Sequence, residues 1–170
     1  MARPSRALHQ SSGTNGRRKL ALVASKGSLD MAYPPLILAN AARMSGIDVE
    51  MFFTFWGLDI ITKKKMNNLN VATVGNPNMH PWFGIPTLLG ALPGMSAAAS
   101  WMMRGEIKKL GFPPVPEFIQ LVIDAGANVY GCKMSMDMMK LTEDDLVEGA
   151  TVLGAMEFMD LTDGAQIVFV

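Results

Sequence analysis

Short apolar runs alternate along this chain with segments patterned as helices, and this alternation restricts the possible folds more than any other feature. Lys19-Leu-Ala-Leu-Val-Ala24 is such a run and ends in Ser25-Lys-Gly-Ser28. Strands buried in a parallel sheet have this form. From Asp30 or Met31 to Ser45, the residues Leu36, Ile37, Ala39, Ala41, Ala42 and Met44 predict a helix with a wide apolar face. Pro34 and Pro35 fit its first turn, and Gly46 stops it. Asp48–Phe53 reads as a second strand. Leu58–Lys65 reads as a short helix whose three lysines sit in its last turns, where the helix dipole favours them. Leu69–Val74 is expected as a short extra strand.

Two helices are expected next, Trp101–Leu110 and Val115–Ala125, split by Gly111-Phe-Pro-Pro114. In the second, Phe118, Leu121 and Val122 share one face, and Gly126 ends it. Ala127–Gly131 reads as a strand and Ser135–Lys140 as a short helix. Thr142-Glu-Asp-Asp145 has the form of a capping box. Ala150–Leu153, Gly154–Asp163 and Gln166–Val170 complete the pattern as strand, helix and strand. The fold class this predicts is α/β: a doubly wound, mostly parallel sheet with helices on both faces. A chain of 170 residues suits one such domain over 19–170.

Charge and composition narrow the function. Fifteen Lys and Arg balance fifteen Asp and Glu, which argues against nucleic acid as the main partner. A single cysteine excludes an intrachain disulfide framework and any CxxC redox or zinc motif. Residues 1–18 are polar and basic without an apolar run, so they read as a disordered tail, and a cytoplasmic location is expected. Val71–Met103 contains no Asp, Glu, Lys or Arg. Pro77, Pro81, Pro86 and Pro93, with glycines between them, disqualify it as a spanning helix. It is expected to be covered by protein, as a lid or an oligomer interface, or to make peripheral contact with a membrane.

Parallel sheets bind ligands beyond the carboxyl ends of their strands. Three loops are therefore candidates. In Ser25–Asp30, the residues Gly27, Ser28 and Asp30 either contact an anion at a helix start or form a turn and cap. Neither phosphate-loop nor dinucleotide glycine motifs are present, and no cofactor is expected. In Phe53–Gly57, Trp56 and Gly57 either wall a pocket or belong to the core. In Cys132–Ser135, a thiol at a strand end facing a helix start, beside Lys133 and Ser135, is favoured as the thiolate. A lone cysteine is equally a small buried hydrophobe. The methionines of Cys132–Lys140 would suit Cu(I) but also fill core, and no metal is expected. His80 is a candidate partner for Cys132.

The motifs Ser25-Lys-Gly-Ser-Leu-Asp30, Phe53-Thr-Phe-Trp-Gly-Leu58 and Tyr130-Gly-Cys-Lys-Met-Ser-Met-Asp137 together resemble the DsrE/DsrF/DsrH-like family, in its longer, peroxiredoxin-like branch. Leu92-Pro-Gly-Met95 and Met102-Met-Arg-Gly-Glu-Ile107 are also similar to that branch. The resemblance spans Arg18–Val170. It implies a small doubly wound fold, homo-oligomeric assembly and cytoplasmic sulfur transfer. It further implies a cysteine that accepts sulfur as a persulfide, here Cys132, from a small sulfur-carrier protein or a rhodanese. The alternatives are a one-cysteine thiol peroxidase and a non-catalytic oligomeric or membrane-associated module with an inert cysteine.

Overall fold

β1 (Lys19–Ala24) is apolar on both sides and lies between two other strands. The computed structural model describes residues 18–72 and 94–170, Met95 by its backbone. Among these residues, β1, β2 (Asp48–Phe53), β3 (Asn128–Cys132), β4 (Ala150–Leu153) and β5 (Gln166–Phe169) form one sheet in the order β4-β3-β2-β1-β5. All pairs are parallel. The helices are α1 (Leu29–Met44), α2 (Met95–Lys109), α3 (Val115–Asp124), α4 (Lys133–Met139) and α5 (Ala155–Leu161). The chain moves one way across the sheet from β1 to β4 and back from β4 to β5. Right-handed crossovers then put α1 and α5 on opposite faces. The expected fold class is the one observed.

The two faces are unequal. Leu22, Ala24, Val49, Met51, Phe53 and Val129 pack in the larger core with Leu36 of α1 and Ile119 of α3. The alternate residues Ala21, Phe52 and Cys132 meet Phe158 of α5, whose ring stacks on Phe52 with centroids 4.5 Å apart. On this second face Glu50 is buried, and the Tyr130 hydroxyl donates to its carboxylate at 3.1 Å. Burial first, then the charge and hydrogen bond of Glu50, push Tyr130 up to about 12. Arg43 ties the ends of α1 and α3 together, donating to the carbonyls of Ala125 and Ile47 and to Asp48.

Several elements differ from the sequence reading. α1 starts at Leu29, whose N–H is taken by the Asn70 carbonyl, so Pro34 and Pro35 lie beyond its first turn. Its exposed side carries Ile37, Ala41 and Met44, so the buried stripe is narrower than expected. Leu58–Lys65 is not a helix: Phe55–Ile60 forms a 3-10 turn, and the backbone then leaves it. Ile61 and Lys63 spend their hydrogen bonds on Val147 and Asp145, around an antiparallel bridge from Thr62 to Leu146. Leu69–Ala72 is not a strand, since the Val71 N–H goes to the Ser100 hydroxyl and the Leu69 carbonyl to Arg104. In α3 the buried face is Val115, Phe118, Ile119 and Val122, and Leu121 faces out. α2 begins at Met95, earlier than expected. The uncharged segment is described only at its ends, and residues 1–17 lie outside the described residues. No helix among the described residues is long and apolar enough to cross a membrane.

Candidate functional site

The carboxyl ends of β1 and β2 lead into loops that touch backbone to backbone. A Cβ on Gly27 would stand 2.1 Å from the Trp56 carbonyl oxygen, and one on Gly57 would stand 2.1 Å from the Ala24 carbonyl oxygen. Only glycine fits at either place, because the opposing atoms are main chain. The Thr54 N–H donates to the same Ala24 carbonyl at 3.0 Å. Between Thr54 and Gly57, Phe55 is held at φ 46°, a left-handed conformation costing a side-chain-bearing residue roughly 1–2 kcal/mol. Gly27 and Gly57 thus hold the two loops together.

This lock positions Thr54 beside Cys132. Phe53 pairs with Gly131 in the sheet, so the next residues, Thr54 and Cys132, come level on the α5 face. Cys132 ends β3, and the backbone turns at once into α4, which starts at Lys133, two residues earlier than the sequence suggested. Its neighbours are the hydroxyl and N–H of Ser135, the hydroxyl of Thr54 and the N–H of Met134. Burial raises the thiol pKa, but the hydrogen bonds from these four groups outweigh it and lower the pKa below the ordinary value. The two hydroxyls lie 2.9 Å apart and are buried. Each has one proton to give. When the sulfur is protonated, one hydroxyl donates to the other; when it is a thiolate, both protons can turn to sulfur. The site therefore accommodates both charge states, with the anion better satisfied.

The remaining sequence candidates are placed as follows. Ser135 is buried against Cys132. Lys133 points to solvent, its ammonium 3.3 Å from Asp137, and is not among the groups that act on the Cys132 thiol. Ser28 is the residue before α1 and makes no side-chain cap; Asp30 accepts from the Ala72 N–H at 3.4 Å. Trp56 is 65% exposed and lines a cleft with Lys26, Gly27 and Ser28, which Cys132 does not line. The methionines of α4 diverge: Met136 is buried under Gly131, while Met134 and Met138 face solvent. His80 lies outside the described residues. Thr54 was not singled out by sequence; the signal for it was its place one residue beyond β2, level with Cys132 once the strands are in register.

A family model described as the DsrE/DsrF/DrsH-like family matches residues 16–170. The chain belongs to this family. Sulfur carrier protein DsrE2 of Allochromatium vinosum is 37% identical over 157 residues, covering 89% of this chain and 96% of that protein. YrkE of Bacillus subtilis, named as an uncharacterized protein, is 25% identical over 164 residues, covering 92% and 99%. Among solved structures, the ychN protein of E. coli matches with a TM-score of 0.53 at 15% identity, over 90% of this chain and 99% of that one. MTH1491 of Methanobacterium thermoautotrophicum, titled a protein of unknown function, matches with a TM-score of 0.51 at 10% identity and the same coverage. These two structural likenesses show a shared fold alone.

Proposed function

We propose that this DsrE-like protein carries sulfur on Cys132. The thiolate attacks a sulfane sulfur, holds it as Cys132–S–SH and passes it to a partner protein. The observation that carries this reading is the placement of Cys132 at the carboxyl end of β3, level with Thr54, with the buried Thr54 and Ser135 hydroxyls 2.9 Å apart; these groups and the Met134 N–H lower the thiol pKa. A thiolate is the attacking species, and a lowered pKa keeps more of it present at neutral pH. The name of the Allochromatium relative supports the same role. The donor and acceptor would be other sulfur-trafficking proteins, and the protein would work as a homo-oligomer.

One observation favours a second reading, an inert cysteine. Cys132 is 4% exposed and packs with Ala21, Phe52 and Phe158, as a small apolar residue does. Polysulfide, a donor small enough for a narrow approach, separates the two readings. Incubation at neutral pH should add one sulfur, about 32 Da, to the intact mass, by thiolate attack on sulfane sulfur. Cys132→Ser should abolish the gain, because the chain has no other cysteine. Wild-type protein that stays unmodified while a free thiol control is loaded would establish the inert reading.

A further inference from the structure

We propose that the cleft beside Trp56 is a binding site for a mononucleotide, with the phosphate on two lysines and the base against the indole. The site is independent of the sulfur-carrier reading, since Cys132 does not line it and the ligand need not reach the thiol. The cleft opens beyond the carboxyl ends of β1 and β2, where open parallel sheets take ligands. Its volume is about 580 Å³, within the range of sites for small organic molecules and more than a bare phosphate needs.

The charge in the cleft matches one phosphate group. Lys26, Lys64 and Lys65 line it against the single carboxylate of Asp59. Asp59 is paired with Lys65 at 2.7 Å, so these two charges cancel. Lys64 reaches only Asp145, at 3.4 Å, whose carboxylate already accepts from the Thr142 N–H and hydroxyl at 3.0 Å. Lys26 has no partner among the described residues. Two amines are thus available, and a phosphate monoester carries about 1.5–2 negative charges at neutral pH. Side chains rather than the start of α1 meet this anion, because the Leu29 N–H is bonded to the Asn70 carbonyl and the Asp30 carboxylate stands in that turn.

The rest of the lining suits a base. Trp56 is 65% exposed, and its indole makes no ring contact among the described residues. It follows Phe55, whose left-handed backbone at φ 46° is the kind of strain that functional loops retain. The loop cannot relax toward the sheet, since the Trp56 carbonyl packs against Gly27. An indole held in this way is a platform on which a flat base can stack. The side-chain amides of Asn68 and Asn70 line the same space and make no hydrogen bond among the described residues. A carboxamide carries both donors and an acceptor, so it pairs with the edge of adenine, donating to N7 and accepting from the 6-amino group. An aliphatic phosphate would leave the indole and both amides unused.

Calorimetric titration of the full chain with AMP tests this site, and saturable binding is expected. Ribose 5-phosphate, which lacks the base, should bind about tenfold more weakly, and adenosine, which lacks the phosphate, about fivefold more weakly. Trp56→Ala should weaken AMP binding about tenfold and leave ribose 5-phosphate binding unchanged. Lys26→Gln with Lys64→Gln should weaken AMP binding about fivefold, since exposed charges each contribute little, and should flatten its salt dependence. All three residues are exposed, so circular dichroism of the variants should match wild type. Lys108→Gln, on α2 and outside the cleft, should bind AMP as wild type does. Absence of saturable binding, AMP bound no more tightly than ribose 5-phosphate, binding indifferent to Trp56→Ala or to the lysine pair, or an equal loss in Lys108→Gln would overturn the assignment. None of these outcomes bears on polysulfide loading of Cys132, which tests the carrier reading separately.

Discussion

Four donors act on the sulfur of Cys132, and removing one isolates its share. Ser135→Ala deletes a hydroxyl and leaves Thr54 and two amides in place. A hydrogen bond to a charged group is worth about 1.5–3 kcal/mol. The thiol pKa should therefore move back up toward the ordinary range, and alkylation at neutral pH should slow about tenfold. Stability should change with it. A thiol whose folded pKa is lowered adds stability that is fully present above the unfolded value, about 8.5, and is lost as pH falls through the folded value. In urea titrations, wild-type stability should thus rise with pH across that window, and Ser135→Ala should show a flatter profile. An identical slope in both proteins would remove Ser135 from the site. Of this site, the sequence made Cys132 and Ser135 legible, because both follow a recognisable strand. Thr54 was not, because its role depends on which strand lies beside β3 and in what register.

At the scale of elements, the two loop glycines make a prediction of opposite sign to a third. Gly57→Ala places a methyl 2.1 Å from the Ala24 carbonyl, and neither backbone can swing aside. It should destabilise the protein by about 2–4 kcal/mol and, by displacing Thr54, raise the Cys132 pKa. Gly105 lies within α2 with nothing within 4 Å of its Cβ position. Gly105→Ala should stabilise by about 0.5–1 kcal/mol from helix propensity alone. Urea denaturation of both variants reads the contrast, and a Gly57→Ala protein as stable as wild type would refute the glycine lock. The strands were legible because each apolar run is bounded by turn residues and matches the sheet period. Leu58–Lys65 misled because its composition is helical, while its backbone is drawn away to pair with Asp145 and Val147, a contact some eighty residues distant. Leu121 and Ile119 are both apolar, and only the position of the sheet decides which of them is buried.

For the whole molecule, the decisive quantity is how much of the second sheet face α5 can cover. As a single crossover helix it is about 10–12 Å across, whereas a five-strand sheet with strands about 4.8 Å apart is roughly 19 Å wide. The shortfall is visible at β5. Val168 packs against the larger core, and the alternate residues Ile167 and Phe169 are left 45% and 70% exposed on the other face. Met156 and Met159 of α5 are exposed as well. Apolar surface of this extent favours association, at about 25 cal/mol per Å² removed from water. The protein should therefore sediment as a homo-oligomer, with Phe169 inside the contact. Phe169→Glu would bury a carboxylate there, so it should shift the distribution to smaller species, while circular dichroism stays unchanged because the ring lies on the surface of the single chain. A wild-type protein that sediments as a monomer at tens of micromolar would refute the assembly. An oligomer untouched by Phe169→Glu would place the contact elsewhere, on the exposed Trp101 and Met102 of α2 or on the loops around Trp56.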